Sequence, residues 1–328
     1  MNGNHIEIKN IEKFYPVKGS GTLFGGKKSR KLVKAVNGVS LSMREGEVLG
    51  IIGESGCGKS TFARLLARLE APTSGDVLID GVSTSKMIEE DAKKFYRTVQ
   101  IVFQNPFEAF TPRDTIEQLL SRPLKHHGIC PDKASRHQRC VELLESGNLR
   151  PAEDILRRYP HELSGGQLQR IAILRSMSLG PSVIVADEPV SMLDVSVRAD
   201  IINMLLEQSA KKKANVVFIS HDIALTRHIA DNIAVMYLGR VVEYGPADEI
   251  VENPLHPYTQ ALISNCASID ISDNSSPIHL EGEPATPIDP GPGCFFADRC
   301  PVADKDCLKE YPQMAQRGDI RRVACFKA

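Results

Sequence analysis

Residues 53–60, with the sequence GESGCGKS, have the types and spacing needed to bind a phosphate. They fit the pattern G-x-x-x-x-G-K-[ST] and lie between the apolar run VLGII and a segment with helical periodicity, which is the context that this loop requires. The glycines let the backbone wrap a phosphate with its N–H groups pointing inward, and a helix start adds partial positive charge. Lys59 supplies a full positive charge to the β- and γ-phosphates, and Ser60 can ligate Mg²⁺. We therefore predict a nucleotide phosphate site formed by Gly53, Glu54, Ser55, Gly56, Cys57, Gly58, Lys59, Ser60 and Thr61.

Two adjacent carboxylates follow a second apolar run. In SVIVADEP, four apolar residues lead directly to Asp187 and Glu188. A buried strand that ends in Asp places a carboxylate where it can bind Mg²⁺, and Glu188 can orient or deprotonate an attacking water. An acidic pair at a strand end is often only a solvated turn, but the phosphate-binding loop upstream favours the catalytic interpretation. We predict that Asp187 contributes to a metal site and Glu188 to hydrolysis.

A second glycine-rich helix start occurs in LSGGQLQR, residues 163–170. Ser164, Gly165, Gly166 and Gln167 precede an apolar helical pattern, and such a helix start can bind an anion. By itself the segment is more typical of a helix that is merely capped by Ser164. One nucleotide does not need two such sites from one chain, so we expect the second site to serve a nucleotide held by another subunit.

Short apolar runs alternate with helical patterns around these residues. VLGII, SVIVAD and ANVVFIS have the length of buried strands, whereas QLQRIAILRSMSLG and RADIINMLLEQSAKK have helical spacing. This alternation predicts a parallel sheet covered by helices on both faces. Residues 114–160 are predicted to be mostly helical. Beyond residue 252 the chain is rich in Pro, Gly, Asp and Ser, so we divide it into a domain of residues 1–252 and a C-terminal extension of residues 253–328.

The composition limits the classes of protein that the chain can belong to. Its 328 residues carry a formal net charge of −1, with 42% apolar and 25% charged residues, as in ordinary soluble globular proteins. The near-zero charge gives no bulk attraction to nucleic acid or to an acidic membrane. The N-terminus lacks a signal-peptide pattern, and no run approaches the roughly 18 apolar residues of a membrane helix. We expect a chain that does not cross a membrane by itself, with cysteines that are reduced unless something binds them.

The ordered set of motifs resembles that of the ATP-binding subunit of an ABC transporter, over residues 1 to about 250. In chain order the motifs hold Tyr15 (the aromatic that stacks on adenine), Lys59 and Ser60, Gln104 in VFQNP, the signature LSGGQ at 163–167, Asp187 and Glu188, Asp194 in SMLD, and His221 in ISHD. The resemblance implies an α/β P-loop NTPase fold with a RecA-like core and a mostly parallel sheet, an antiparallel β subdomain and a helical subdomain at about residues 105–161. The chain departs from the family at Leu168, where Arg is usual. Because Arg170 remains, we expect a modest effect, and the contacts at position 168 stay open.

The same resemblance implies a mechanism. Two such domains close head-to-tail on two ATP molecules, so that each ATP lies between the phosphate-binding loop of one domain and the signature, residues 164–167, of the other. Mg²⁺ would be bound by Ser60, Gln104 and Asp187. Gln104 and Glu188 position the attacking water, and His221 contacts the γ-phosphate. The expected catalytic residues are thus Glu188, His221 and Gln104, with ATP and Mg²⁺ as substrate and cofactor.

Longer segments narrow the resemblance to importers of oligopeptides, dipeptides and nickel; these segments are IVFQNPFEAFTPRDTI, RYPHELSGGQ, ADEPVSMLDVSVRADIINML and NPLHPYTQALI. In that branch two different ATPase subunits usually pair. They would be held at the cytosolic face of the membrane by two membrane-spanning permease subunits, which receive solute from an extracytoplasmic binding protein. Residues 105–160 are expected to contact the permeases. We predict an ATPase that powers peptide import; import of nickel or a metal chelate is the alternative.

Four of the eight cysteines lie in the last 35 residues, at Cys294, Cys300, Cys307 and Cys325. Disulfides are disfavoured in a reducing compartment, and the close C-x₂₋₄-C pairs of a structural zinc site are absent. An iron–sulfur cluster tolerates wider spacing, and Pro301 follows Cys300 as Pro follows a ligand in bacterial ferredoxins. The resembling importers carry a similar tail, which in some members is associated with a 4Fe–4S cluster. We predict such a cluster in a structural role; a zinc ion and four free thiols are the alternatives.

Two other classes of function remain open at this point. A soluble ABC ATPase that acts on DNA or ribosomes usually has two such domains in one chain or a long coiled-coil insertion, and this sequence has neither. It would bind nucleic acid, which we do not expect of this chain. A redox-sensing regulator, with the cysteine tail as its sensor, is a possible addition to transport rather than a replacement for it.

Overall fold

The computed structural model describes residues 5–17, 31–266, 278–280, 282 and 285–328. The strands are β1 (Ile6–Pro16), β2 (Leu32–Met43), β3 (Val48–Ile52), β4 (Ser74–Ile79), β5 (Val82–Ser83), β6 (Val99–Val102), β7 (Val183–Asp187), β8 (Asn215–Ile219), β9 (Asn232–Tyr237), β10 (Arg240–Pro246), β11 (Ala315–Gln316) and β12 (Arg322–Val323). The α-helices are α1 (Lys59–Leu66), α2 (Thr84–Thr98), α3 (Ile116–His126), α4 (Lys133–Ser146), α5 (Ala152–Arg157), α6 (Gly165–Met177), α7 (Val195–Lys212), α8 (Ile223–Ile229), α9 (Ala247–Glu252) and α10 (Pro257–Ser264). The described chain falls into two compact units, which we describe separately.

The first unit consists mainly of Val82–Val217, together with Arg44–Glu47. Its strands β6 and β7 pair in parallel, and four successive residues of β7 are fully buried, as expected of a parallel strand. Helices α3 to α5 confirm the prediction of a mostly helical stretch between residues 114 and 160. Helix α3 begins with a capping box, in which Thr115 accepts from the Gln118 N–H and Gln118 accepts from the Thr115 N–H.

The second unit contains the described parts of Ile6–Met43, Val48–Gly81 and Phe218–Ala328. One sheet in it is antiparallel: β1 lies between β2 and β4, with Ile8 opposite Leu41 on one side and Val77 on the other. These three residues are buried, so the alternating pattern of β1 supplies the inner face. Another group of strands joins β3 to β9 in parallel, and β9 to β10 antiparallel. Parallel and antiparallel pairs therefore occur together in this unit.

The β9–β10 hairpin was not among the predicted elements. Its two-residue turn is formed by Leu238 and Gly239, with φ of 43° and 82°. Positive φ at both turn residues is the geometry that matches the twist of paired strands. A Cβ at Gly239 would lie 2.6 Å from the Lys34 carbonyl oxygen, so glycine is required there for a second, long-range reason. The prediction also missed helix α2, whose backbone is interrupted at Asp91.

The C-terminal extension packs within the second unit. Strand β12 pairs with β10, placing Val323 opposite Glu243, and Phe296 packs against Tyr237 and Tyr258 with ring centroids 5.3 and 5.5 Å away. We expected a segment with little core of its own. The structure shows how it is stabilised: its aromatic side chains complete a core that β9, β10 and α10 share.

A buried ion pair also attaches the extension to β10. The Glu243 carboxylate is fully buried and accepts hydrogen bonds from Arg321 Nη2 at 2.7 Å and from the backbone N–H groups of Leu255 and His256 at 2.9 Å each. A buried carboxylate needs such complete pairing. Among the described residues, no helix is both long enough and apolar enough to span a membrane.

Candidate functional site

The phosphate-binding loop lies between β3 and α1, as predicted. Gly58 is the N-cap of α1 with φ of 105°, and Gly53 has φ of 151°. A Cβ at Gly53 would lie 2.2 Å from the Met236 carbonyl oxygen, and one at Gly58 would lie 2.1 Å from that of Ala35. No side chain fits at either position. The glycine spacing is thus set by the backbone around the loop as well as by its expected ligand.

Lys59 is the first residue of α1, and its side chain folds back over the loop. Its Nζ donates hydrogen bonds to the carbonyl oxygens of Gly53 at 2.7 Å and Glu54 at 2.9 Å, and it lies 3.8 Å from the Cys57 Sγ. These acceptors are neutral, so phosphate oxygens would be stronger partners for the ammonium group. Burial raises the pKa of the Cys57 thiol, although Lys59 acts in the opposite direction. Ser60 is exposed and Thr61 partly exposed on the first turn of α1.

Glu54 has two partners in the C-terminal extension that the sequence did not predict. Its backbone N–H donates to the Tyr258 hydroxyl at 2.8 Å. Its carboxylate accepts from both terminal nitrogens of Arg299, at 2.8 and 3.2 Å. No local signal marks this pair, because 245 residues separate Arg299 from Glu54.

Tyr15, predicted to stack on adenine, lies on β1 in the same unit as the loop. Its hydroxyl is hydrogen-bonded to the Glu70 carboxylate, and Lys13 Nζ lies 5.2 Å from the centre of its ring. Burial and the Glu70 hydrogen bond raise the pKa of Tyr15 to about 12, so the phenol stays neutral at physiological pH. A neutral ring that already attracts a cation can also stack on a base.

In the first unit the structure brings Gln104 and Glu188 together. Gln104 Nε2 donates to Glu188 Oε2 at 2.9 Å and to the Ser191 hydroxyl at 3.2 Å. Both residues lie just beyond the ends of the paired strands β6 and β7, and Asp187 is the last residue of β7. Glu188 has φ of 47°, a conformation that a non-glycine residue rarely adopts and that is frequent at functional sites.

The signature residues form the first turn of α6. Ser164 Oγ accepts from the Gln167 N–H at 3.3 Å, and Gln167 Oε1 accepts from the Ser164 N–H at 3.0 Å, which is a capping box. A Cβ at Gly166 would lie 2.9 Å from Val197 Cγ1, and one at Gly165 would lie 3.6 Å from Leu193. Gly166 therefore allows Val197 at the start of α7 to approach closely, whereas the space at Gly165 would accept a Cβ.

Leu168 stands at the position where the family usually has Arg. Its side chain is fully buried. The neighbouring cation is instead Arg170, which donates to the Gly147 carbonyl at 3.3 Å and to the Asp200 carboxylate at 3.2 Å.

The two remaining predicted residues lie at helix starts. Asp194 is the exposed N-cap residue of α7. His221 is exposed, one residue before the Asp222 cap of α8. The Ser220 N–H donates to the Ile51 carbonyl at 3.2 Å, which places the backbone before His221 beside the end of β3, from which the phosphate-binding loop starts.

The four C-terminal cysteines do come together. Cys294, Cys300, Cys307 and Cys325 line one cavity of about 10 Å³, together with His256, Pro257, Phe296, Ala297, Pro312, Phe326 and Lys327. All four are free thiols. Burial raises the pKa of Cys294 to about 11, and it also raises the pKa values of Cys300 and Cys325.

This arrangement does not support the predicted 4Fe–4S cluster. The cavity has about the volume of one water. Within the described residues, no group of three or more His, Cys, Asp or Glu side chains is arranged to hold a metal ion.

The chain matches two family models and several known proteins. The model of the ABC transporter family matches residues 36–191, and that of the oligopeptide/dipeptide transporter C-terminal region matches residues 242–307. The oligopeptide transport ATP-binding protein AppF of Bacillus subtilis is 42% identical over 328 residues, covering 98% of this chain and 96% of the relative. The dipeptide transport ATP-binding protein DppF of Escherichia coli is 42% identical over 321 residues, covering 98% and 93%.

A solved structure extends the comparison to three dimensions. The ATP-binding cassette MJ0796, a dimer bound to ADP and Pi in a post-hydrolysis state, aligns with a TM-score of 0.63 and 29% identity over 74% of this chain and 98% of its own. The class is therefore that of an ATP-hydrolysing cassette of the ABC type. The chain belongs to the family of oligopeptide and dipeptide ABC transporter ATP-binding proteins, which confirms the resemblance predicted from its motifs.

Proposed function

We propose that the chain binds ATP on the loop at residues 53–61 and hydrolyses it to power the import of peptides. The observation that carries the catalytic part is the contact between Gln104 and Glu188, with Gln104 Nε2 2.9 Å from Glu188 Oε2. The contact fixes the carboxylate that is to activate water. The peptide substrate follows from relatives that are 42% identical over nearly the whole chain and are named for dipeptide or oligopeptide transport.

Binding begins with an exchange of partners at Lys59. Its ammonium group leaves the carbonyl oxygens of Gly53 and Glu54 for the charged oxygens of the β- and γ-phosphates, which are stronger acceptors. The loop N–H groups and the start of α1 add their partial charges. Tyr15 stacks on the adenine. The residues predicted to hold Mg²⁺ are Ser60, Gln104 and Asp187, whose oxygen donors are of the type that this ion prefers; when bound, the ion would supply positive charge to the phosphates.

Hydrolysis is mainly a matter of position and charge. Glu188 accepts a proton from the attacking water or orients it, while Gln104 holds the carboxylate and His221 contacts the γ-phosphate. Ser164 to Gln167 and Asp194 act on the nucleotide of a second ATPase subunit. That two cassettes pair is supported by the dimeric state of the similar solved cassette.

The proposed partners of the chain are a sister ATPase, two permease subunits and, indirectly, an extracytoplasmic binding protein. The chain would be peripheral, on the cytosolic face of the membrane. Phe107 and Tyr159, exposed large side chains in the region from 105 to 160, are suited to contact a permease.

The Glu188→Gln variant tests the catalytic assignment in the purified full-length chain. It is expected to bind ATP within about threefold of the wild-type affinity and to hydrolyse it at least about 100-fold more slowly, because an amide cannot accept the proton. Glu207→Gln, which alters an exposed carboxylate on α7, is the matched control. Rapid turnover by the Glu188 variant contradicts the assignment.

An uptake assay tests the substrate. Cells that lack this chain are supplied with the wild-type or the Glu188→Gln chain, and uptake of a labelled dipeptide, a labelled oligopeptide and nickel is measured. Peptide uptake that only the wild-type chain restores supports the proposal. Restoration of nickel uptake alone moves the chain to the metal-importing alternative.

The iron–sulfur cluster stays a separate prediction about the extension. One feature of the extension that a cluster would use is that backbone N–H groups two residues further on donate to Cys294, Cys300 and Cys325, the last from Lys327 at 3.3 Å. Such hydrogen bonds favour the thiolate form that a cluster needs. Anaerobic purification followed by iron, acid-labile sulfide and zinc assays decides the matter: iron and sulfide near four each per chain, lost in Cys300→Ser, support it, and a metal-free chain rules it out.

A further inference from the structure

The Glu54 carboxylate stands inside a loop whose task is to bind a polyanion. An uncompensated negative charge there would repel the phosphates, and the repulsion between charges a few ångströms apart is considerable at a partly buried site. The chain nevertheless has Glu at this position. A cationic side chain of the C-terminal extension offsets this repulsion.

That side chain is Arg299. Its two terminal nitrogens bind both carboxylate oxygens of Glu54, at 2.8 and 3.2 Å, in the bidentate arrangement that is strongest for this pair of groups. The Arg299 side chain is 11% exposed and that of Glu54 26% exposed, so solvent screens the pair less than it would a surface ion pair.

Arg299 is itself held in place. It ends a short 3₁₀ turn, Ala297–Arg299, that directly follows the buried Phe296. Its guanidinium lies 6.0 Å from the centre of the Tyr237 ring, and Nη1 lies 3.4 Å from the Tyr237 hydroxyl. The arginine is therefore pre-organised by the core of the second unit and does not depend on nucleotide for its position.

Tyr258 holds the same loop residue from α10. It is fully buried, and its hydroxyl accepts the Glu54 N–H at 2.8 Å. The Glu54 peptide thus has its N–H fixed by one residue of the extension and its carboxylate by another, while its carbonyl accepts from Lys59. A loop with three glycines gains order from such fixed points.

We propose that Arg299 is a positioning residue for the nucleotide: it neutralises and orients Glu54, so that the C-terminal extension contributes to ATP affinity through the phosphate-binding loop. Tyr258 fixes the same peptide and supports this role. The inference rests on the proposed assignment of residues 53–61 as the phosphate site. It predicts that the loss of Arg299 is harmful because Glu54 is left charged and unpaired.

The test measures binding of a fluorescent ATP analogue to the full-length chain with Mg²⁺. Arg299→Ala is expected to raise Kd about five- to tenfold, which corresponds to roughly 1–1.4 kcal/mol. Arg299→Lys keeps the charge without the bidentate contact and is expected to stay within about threefold of wild type. Arg317→Ala, which removes an exposed arginine of the same extension, should leave Kd unchanged. Melting curves check that each variant is folded, and Arg299→Gln replaces the alanine variant if that one does not fold.

The decisive measurement tests whether a second substitution, Glu54→Gln, reverses the loss of affinity caused by Arg299→Ala. Adding Glu54→Gln to the Arg299→Ala chain removes the unpaired charge, so Kd should return to within about twofold of wild type. A purely structural role of Arg299 would show no such recovery. Wild-type affinity in Arg299→Ala, or a double variant that binds as weakly as the single one, overturns the inference.

Lys59→Ala separates this inference from the assignment beneath it. If Lys59→Ala binds the analogue as tightly as wild type, the phosphate site itself is wrongly assigned. If Lys59→Ala loses binding while the Arg299 variants keep it, the loop assignment stands and only the role of Arg299 fails.

Discussion

The side-chain amide of Gln104 donates a 2.9 Å hydrogen bond to the carboxylate of Glu188, 84 residues further along the chain. The contact joins the segment that follows β6 to the segment that follows β7. Gln104 also contacts the Ser191 hydroxyl, which in turn donates to the Glu188 backbone carbonyl at 3.1 Å, so the Gln104 amide that contacts the carboxylate is itself held in place. In the proposed role of Glu188 as the base, this support reduces the reorganisation needed when water arrives.

Replacing Gln104 with Ala removes that support. We expect the rate of ATP hydrolysis to fall about tenfold, while ATP affinity changes by less than about threefold, since orientation of the base matters most in the transition state. Gln138→Ala is a matched control, because Gln138 is an exposed glutamine that bonds Glu142 at 3.4 Å on α4. An unchanged turnover number for Gln104→Ala would argue against the proposed role.

Cys57 should resist alkylation in the folded chain. Its side chain is 2% exposed, and burial raises the pKa of its thiol, so little thiolate is present near pH 7. The reaction rate of a maleimide with Cys57 should therefore still be rising at pH 9, and ATP should slow it further. Mass spectrometry of the Cys57 peptide, with the urea-unfolded chain as the control, measures this; equal rates in the folded and unfolded chains would refute it.

His256 makes the fold sensitive to acid. Burial lowers its pKa from 6.5 to about 4, and its Nδ1 accepts the Tyr258 N–H at 3.0 Å. The folded chain binds fewer protons at this site than the unfolded chain, so stability is fully present above pH 6.5 and is lost progressively as pH falls toward 4. The loss should reach about 3 kcal/mol.

The control for that prediction is His256→Asn, which keeps an acceptor for the Tyr258 N–H but does not titrate. Urea unfolding between pH 4 and pH 7 should show a smaller dependence of the unfolding free energy on pH in this variant than in the wild-type chain. Identical pH profiles would show that other groups cause the acid sensitivity.

Arg321→Met should destabilise the chain by about 3–5 kcal/mol, because it leaves the fully buried Glu243 carboxylate without its cation. Lys309→Met breaks a pair with Asp306 in which both side chains are 71% exposed, and it should cost less than about 1 kcal/mol. Thermal and urea unfolding measure both variants. Similar small effects in the two would mean that water reaches Glu243.

The sequence predicts those parts of the site that depend on local chemistry. The phosphate-binding loop, the strand that ends at Asp187 and the helix starts at Ser164 and Lys59 each have a continuous motif. The reasons for some of those residues are not local. Gly53 and Gly58 are required because the Met236 and Ala35 carbonyl groups lie where a Cβ would be, and no spacing rule contains that information.

The contacts of the C-terminal extension could not be predicted from local sequence. Its composition predicts a segment with little core, yet Phe296 packs on Tyr237 and Tyr258, which lie 59 and 38 residues earlier in the chain. The pairing of Arg299 with Glu54 spans still more of the chain. Such long-range contacts depend on the whole fold, so periodicity and motifs do not predict them. The four cysteines of the extension likewise meet in one cavity, although 31 residues separate Cys294 from Cys325.

The distance along the chain between Glu54 and Arg299 also sets an order of assembly during translation. The ribosome must add 245 residues after Glu54 before Arg299 exists, which takes roughly 10–50 s at typical elongation rates. During that time the nascent chain carries a phosphate-binding loop with an unpaired carboxylate. The ion pair between Glu54 and Arg299 forms only after those residues have been added, so a chain terminated before residue 299 would retain the motif but lack the arginine that offsets its charge.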